Sequence, residues 1–439
     1  MKIRTIFLSL LILISFPTAR GQAVYSIQDC ITIGLERNFS ILIAKNNETI
    51  SSRNYSPGNA GFLPSVQISG TYNGTVDNTT NNLRAGGKTS VKGENGMSAN
   101  AGASIGWTIF NGFNVQTTYK KLYELKQVGM LSTQLTIENY VASLLSVYYN
   151  YIQQLQLVNN LKYAVTLSKE RLRIDEERYL LGSNSKLQVL QSRVYLNADS
   201  SRLSGQTEIL RATQIRLNEL MAVEDVGMQF VLKDSTIEIR SDLLYEKLLS
   251  ETLSSNTSLL IATRNKILSE YDYKLIVSRA YPYLNLSTGY NYGISKLSTS
   301  VNKNSMTNGL NYGVTLGINI FDGFNTSRSI RNSAIEIKNT ELKYFEIEQG
   351  VKADLLTIYN AYSNNLRLIR LEEQNLETAT ENLSIALERY KLGNLSGIEL
   401  REVQKSLLDA KESLLSVRFA AKLAEISLYQ ISGKIMNYY

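Results

Sequence analysis

Residues 98–114 read SANAGASIGWTIFNGFN, and residues 309–325 read GLNYGVTLGINIFDGFN. In the first stretch Ala99, Ala101, Ala103, Ile105, Trp107 and Ile109 fall on one side. Asn100, Gly102, Ser104, Gly106 and Thr108 fall on the other. In the second, Leu310, Tyr312, Val314, Leu316, Ile318 and Ile320 alternate with Asn311, Gly313, Thr315, Gly317 and Asn319. A period of two puts successive side chains on opposite faces, which is the pattern of a strand. Two further stretches, each following a proline, read the same way. Leu284, Leu286, Thr288, Tyr290 and Tyr292 oppose Asn285, Ser287, Gly289 and Asn291. Val66, Ile68 and Tyr72 oppose Gln67, Ser69, Thr71 and Asn73. Strands of roughly ten residues, apolar on one face and small or polar on the other, suit a transmembrane barrel. The alternation fits a half-buried sheet in a soluble protein equally well, so the strands alone leave both open.

Working outward, the whole chain is two copies of one unit. Asn38-Phe39-Ser40-Ile41-Leu42-Ile43-Ala44 recurs as Asn256-Thr257-Ser258-Leu259-Leu260-Ile261-Ala262, 218 residues later. Pro64 maps onto Pro282 at the same offset. From Ile109 the offset becomes 211 residues, and it holds through Glu177-Arg178-Tyr179-Leu180-Leu181-Gly182 against Glu388-Arg389-Tyr390-Lys391-Leu392-Gly393. The first copy therefore carries about seven more residues between Asn73 and Ile109, a length change that predicts an exposed loop. Each copy reads helix, strand, strand, long helix, turn, helix. Ser26 with Asp29 predicts a capping box on the first helix.

Neither 114–181 nor 325–392 contains a proline. A continuous helix of that length would run roughly 100 Å, several times the thickness of a hydrocarbon core. Leu144, Tyr148, Tyr151, Leu155 and Val158 step by four and three, and Leu355, Tyr359, Tyr362, Leu366 and Ile369 repeat the pattern. That is a coiled-coil seam. Gly182 and Gly393 sit where a left-handed residue would end each long helix. New helical patterns begin at Leu187 and Ile398, so each copy makes a long helical hairpin. Four strands cannot close a barrel, and an open sheet in lipid would leave two bare edges. A barrel would therefore need several chains, and three chains would supply twelve strands.

Composition excludes much else. The 439 residues contain no histidine and one cysteine, Cys30. Histidine-based acid–base chemistry, Ser-His or Cys-His nucleophiles and intrachain disulfides are removed. No phosphate loop and no metal-spaced cysteine pattern is present. The chain reads as a non-enzyme with no catalytic residue, no cofactor and no metal. Residues 1–21 predict a signal peptide, with Lys2 and Arg4 before an apolar run and small residues ahead of Gln22. The formal charge of +7 includes Lys2, Arg4 and Arg20, so the mature chain carries only +4. With no dense basic patch, nucleic acid is not an expected partner.

The motifs Leu63-Pro64-Ser65 and Tyr281-Pro282-Tyr283, the Ile-Phe-Asn/Asp-Gly-Phe pair and the paired Glu-Arg-Tyr-x-Leu-Gly turns recur in order across the mature sequence. In that order they resemble the TolC-like outer-membrane efflux proteins. The resemblance implies an α+β membrane protein of the outer membrane of a Gram-negative bacterium. It implies a homotrimer with a twelve-stranded β-barrel in outer-membrane lipid and a helical periplasmic tunnel. It also implies a periplasmic adaptor and an inner-membrane pump as partners, in efflux or type I secretion. On this reading Tyr179, Gly182, Asn184, Tyr390, Gly393 and Asn394 form the periplasmic gate at the tips, and Glu399 and Glu402 form a cation-selective ring. Gln188 and Gln191 stand at the ring positions of the first copy. Leu284, Leu286, Tyr290, Leu316, Ile318 and Trp107 would face lipid. The other class left open is a soluble periplasmic coiled-coil scaffold or adaptor.

The expected layout is a first repeat over 22–222, with strands at 64–74 and 98–110, a long helix at 114–181, a tip turn at 182–186 and a return helix at 187–222. A linker over 223–240, read as an irregular patch, precedes the second repeat over 241–439. There the strands are placed at 282–293 and 309–321, the long helix at 325–392, the turn at 393–397 and the return helix at 398–432.

Overall fold

The structure is a computed structural model that describes residues 23–297 and 304–438. The expected signal peptide lies outside the described residues. The first repeat opens with β1 (Ala23–Tyr25), α1 (Ile27–Arg37), α2 (Phe39–Asn54) and α3 (Pro57–Ala60). Strands β2 (Ser65–Asn82) and β3 (Lys88–Asn111) follow, then α4 (Asn114–Leu180) and α5 (Lys186–Leu220). After β4 (Phe230–Leu232) the second repeat runs through α6 (Tyr245–Ser255), α7 (Thr257–Val277), β5 (Tyr283–Leu297), β6 (Ser305–Gly317), α8 (Asn325–Lys391) and α9 (Gly397–Ile431). The long helices have 67 residues each and the return helices 35 each, so the two copies match in length as well as order. Two compact units share the chain. One gathers residues through Lys45, Thr133–Ser258 and Glu348 onward; the other holds Asn46–Ser132 and Leu259–Ile347.

The second unit carries the sheet, in the order β2-β3-β5-β6, with every neighbour antiparallel. Directly paired residues share a face, so the register shows which side chains line up. Val66, Ile105, Thr288 and Tyr312 form one row, and Ile68, Ala103, Tyr290 and Leu310 form another. Trp107, Leu286 and Val314 continue that face, and Leu284 pairs with Leu316. The opposite face holds rows such as Gln67, Ser104, Gly289 and Asn311. The apolar face is open: Ile68 is 83% exposed, Tyr312 85% and Leu316 74%. Among the described residues, strands β2 and β6 each have a free hydrogen-bonding edge.

Several expectations change here. The extra residues of the first copy form no separate loop. They lengthen the β2–β3 ladder to Asn82 and Lys88, closed by a turn with Gly86 and Gly87 at positive φ. A bulge between Thr108 and Phe110 shifts the phase, so Phe110 rather than Ile109 pairs with Leu284. Ile318 lies outside β6. The ladder ends at Tyr283–Gly317, and the preceding Pro282 has no N–H to extend it, so the expected strand end at 321 retreats to 317.

Each Phe-x-Gly-Phe motif turns a strand into a long helix through two consecutive left-handed residues. Gly112 and Phe113 have φ of 66° and 64°, and Gly323 and Phe324 have 67° and 63°. A side chain on Gly112 would run into the Ser278 carbonyl. Asn111 and Asp322 then accept the backbone N–H of Val115 and Thr326, at 3.2 and 2.8 Å, which caps the new helix.

The first unit holds the main core. Leu144, Tyr148, Tyr151 and Ile152 of α4 bury against Cys30, Ile31 and Leu217. The residues read as an irregular linker contain β4, which pairs in parallel with β1. Phe230 and Leu232 point inward while Val231 is exposed, an alternation too short to stand out in the sequence. A buried Lys422–Glu425 pair at 3.2 Å then fastens both the linker and the C-terminal segment. Lys422 Nζ donates to the Glu238 carbonyl, and Glu425 accepts from Arg240 N and the Tyr438 hydroxyl.

Candidate functional site: the hairpin tips

Both tips are built by the same backbone device. Gly182 (φ 73°) and Gly393 (φ 85°) take the left-handed conformation that only glycine adopts without strain. Their N–H groups bond to the carbonyls of Tyr179 and Tyr390. The next N–H groups, of Ser183 and Asn394, reach back to Arg178 and Arg389. The return helices open on capping boxes, Ser185 with Gln188 and Ser396 with Glu399. The equivalent of Asn394 is thus Ser183 and not Asn184. Asn184 instead braces the first long helix, its amide donating to Asp175 at 3.1 Å.

Asp175 is a hub. It accepts the hydroxyls of Ser192 and of Tyr390, which comes from the other hairpin. Arg171 Nε donates to Ser192 Oγ at 3.0 Å, and its Nη1 lies 3.5 Å from the Gly397 carbonyl. Arg178 donates to the Tyr390 carbonyl and covers its ring at 5.0 Å. Further along the hairpin, Arg401 grips Asp199 in a bidentate pair at 2.7 and 2.8 Å, and Ser168 adds a third bond at 2.5 Å. Asp175 and Asp199 are almost wholly buried, at 2% and 1% exposure. These bonds run through both hairpins within one chain. A cleft of about 890 Å³ opens beside them, lined by Arg171, Asp175, Tyr195, Tyr390 and Glu399.

The electrostatics follow from burial and partners. Desolvation raises the Tyr390 phenol, and its hydrogen bond to Asp175 pushes the same way, so the phenol stays protonated as donor. Desolvation lowers Arg171. Burial pushes Asp199 upward, but the bonds from Arg401 and Ser168 outweigh it and hold the carboxyl below its ordinary value. Glu399 is also held low, by the backbone and then the side chain of Ser396.

The sequence-predicted residues therefore divide. Tyr390 is buried in the hub at 3% exposure, whereas its repeat mate Tyr179 is 44% exposed. Glu399 serves as the third residue of a helix cap, and Glu402 is exposed one turn further on. Arg171, Asp175, Asp199 and Arg401 were not singled out by sequence. The signal was a polar stripe, Ser168, Arg171 and Asp175, stepping three and four along a coiled-coil helix where apolar residues are the rule. Among the described residues no cluster of three potential metal ligands occurs, and no helix is long and apolar enough to cross a membrane.

An open sheet with one continuous apolar face, joined in sequence to two long helical hairpins, defines a class of outer-membrane protein. The model of the family described as outer membrane efflux protein matches residues 31–223 and 248–434. The chain belongs to that family, one of channels rather than enzymes, and is a protein of the outer membrane. It is 25% identical over 198 residues to the outer membrane protein TolC of Vibrio cholerae, a match spanning 43% of this chain and 44% of that protein's length. The fold is similar to that of the outer membrane protein VceC of Vibrio cholerae, with TM-score 0.73, 13% identity, and coverage of 93% of this chain and 96% of that one. It is also similar to the CmeC outer membrane channel of Campylobacter jejuni, with TM-score 0.75, 14% identity, and coverage of 93% and 86%. Family and outer-membrane placement set aside the soluble scaffold.

Proposed function

We propose that three copies close one twelve-stranded barrel and form a passive exit duct across the outer membrane. The observation that carries this reading is the sheet: an exposed apolar face with two edges unpaired among the described residues. Bare edges and water-avoiding side chains are both satisfied when strand β6 of one copy pairs with β2 of the next and the apolar face meets lipid. Leu284, Leu286, Tyr290, Leu316 and Trp107 then face lipid. Threefold symmetry repeats the same edge-to-edge contact and closes the ring.

The helical hairpins continue the duct on the periplasmic side, where a periplasmic adaptor and an inner-membrane pump supply cargo and energy. The tips are the gate. The Asp175 hub ties Tyr390 of the second hairpin to the first and so favours the closed arrangement. Glu399 and Glu402 put six carboxylates around the threefold axis, and a ring of acids in a constriction favours cations. Native mass measurement in detergent and planar-bilayer recording test the reading together. The expected result is a trimer whose cation preference weakens when Glu399→Gln and Glu402→Gln are combined. A stable monomer in lipid overturns the duct. An unchanged reversal potential in a conducting double variant removes the ring alone.

A further inference from the structure

Strands β2, β3, β5 and β6 hold five charged residues, Asp77, Lys88, Lys92, Glu94 and Lys296. All five lie toward the turn end of the sheet, past the last row that is apolar in all four strands, Tyr72, Ala99, Ile294 and Met306. The signs divide by face. Lys296 pairs with Met97 and continues the apolar face, whereas Asp77 and Glu94 pair with each other on the opposite face. By simple alternation Lys88 and Lys92 would fall with Glu94, since all three are even-numbered residues of β3. A bulge prevents it. Asp77 pairs with Glu94 but Thr79 pairs with Val91, so Lys92 and Gly93 both stand opposite Asn78. Gly93 takes a φ of 68°, and its N–H donates to Asn78 Oδ1 at 2.8 Å. The extra residue reverses the alternation beyond it. Lys88, paired with Asn82, and Lys92 therefore join Lys296 on the apolar face, and both acids stay on the other. All three lysines are exposed, and among the described residues none forms a salt bridge.

We propose that Lys296, Lys92 and Lys88 form a stripe that binds the phosphate groups of a phosphorylated glycolipid in the outer leaflet. This rests on the barrel reading proposed above. The turn end is then the outer end, because the long helices follow the strand ends at the other side of the sheet, Asn111 and Gly317. From Leu284 to Ile294 the apolar face runs about 34 Å along the strand, or about 26 Å of height at a tilt of about 40°. That matches the depth of an outer-membrane barrel's apolar band. Lys296 comes one row later, where headgroup phosphates begin. At the same tilt Lys92 stands about 10 Å further out and Lys88 about 20 Å. A phospholipid headgroup would end near Lys296. A glycolipid with phosphates along its sugar chain continues past Lys92 toward Lys88, which is why it is the occupant. Lysines beside a membrane attract anionic lipid, and here they extend the same face that meets hydrocarbon. Asp77 and Glu94 sit on the far face and leave the stripe un-neutralised.

The test is titration of the full chain in detergent with deep-rough lipopolysaccharide and, separately, with the same lipid stripped of phosphate. Native mass counts the chains in the assembly and the lipids bound to it. The parent should bind the phosphorylated form at least about tenfold more tightly, and Lys88→Gln, Lys92→Gln and Lys296→Gln together should cut that preference below about threefold. Arginine at the same three positions should keep it. A second variant separates the stripe from net charge. Lys88→Thr with Thr89→Lys, combined with Val91→Lys and Lys92→Val, leaves the charge unchanged and moves two lysines to the face of the acids. Its preference should fall as well. If the parent shows no preference, or if either the glutamine or the exchanged variant stays within about twofold of the parent, the stripe is wrong. A trimer in those same spectra leaves the duct standing. If no trimer forms, the barrel reading falls first and the stripe falls with it.

Discussion

At the first tip Gly182, Ser185 and Gln188 shape the turn, and at the second Gly393, Ser396 and Glu399 do so with the same dihedrals and the same bonds. The interiors behind those turns differ. The first encloses Arg171, Asp175 and Asp199; the second encloses Leu383, Ala386, Leu400 and Leu407. A duplicated backbone has kept its caps and changed its packing. The turn is specified by a few residues whose local geometry admits few substitutes. A coiled-coil interior accepts any set of side chains that fills it and satisfies its polar atoms.

The largest expected effect breaks the comparison on its polar side. Arg401→Met leaves Asp199 buried without its cation, and loss of one partner of a buried pair costs about 3–5 kcal/mol. Chemical denaturation of the detergent-solubilised protein would show it. Leu190→Met, at the repeat position of Arg401 in the first hairpin, costs under about 1.5 kcal/mol. Equal losses at the two positions would erase the distinction between the two hairpins.

Acid acts on the same side. The Asp199 carboxyl is held below its ordinary value in the fold. Its stabilisation is therefore present above the unfolded aspartate value of about 3.9 and is lost as pH falls through the lower folded value. Resting conductance should rise below about pH 4. In a variant with Asp199→Asn that acid-dependent rise should shrink. A profile identical in the two proteins would assign acid sensitivity elsewhere.

Gly182→Ala and Gly393→Ala sharpen the shared half of the comparison. Each forces a side chain into left-handed backbone, at a cost of about 1–2 kcal/mol. An alanine Cβ at 182 would meet nothing within 4 Å, so strain alone should set the loss there. Thermal melting should find the two losses alike. Smaller again is Glu399→Gln, which converts the second cap into the first. Because Gln188 already fills the equivalent position, thermal melting should find no resolvable change in stability.

Strand identity and facing were legible because a period of two survives in any sequence with one wet and one dry face. Val66, Leu286, Tyr290 and Leu316 fall on the apolar face by alternation alone. Strand ends were not legible. Whether Ile318 joins a ladder depends on what β5 offers opposite it, and Ile109 changed phase because of a bulge that leaves no compositional mark. The extra length of the first copy reads as a loop until the pairing of Thr80 with Ser90 shows that it is ladder. At the tips Gly182 and Gly393 were visible because their backbone conformation selects glycine. Asp175, Arg171 and Asp199 were hidden because a charged residue on a long helix looks solvent-facing until the partner helix is in place. Glu399 could be placed near the turn, but its bond to Ser396 identifies a capping role that an acidic residue shares with many helix starts.

The two open edges of the sheet also govern how such a protein reaches its membrane. A lone chain with its edges bare has no low-energy place in hydrocarbon, since each unpaired N–H and C=O there costs several kcal/mol. In water it shows the apolar row from Ile68 to Leu310 and two templates for misplaced pairing. On the proposed assembly, insertion is coupled to the encounter of copies. Its rate should climb more steeply than linearly with the supply of newly secreted chains, and chains made in excess of their partners should be the first to be lost to aggregation or proteolysis.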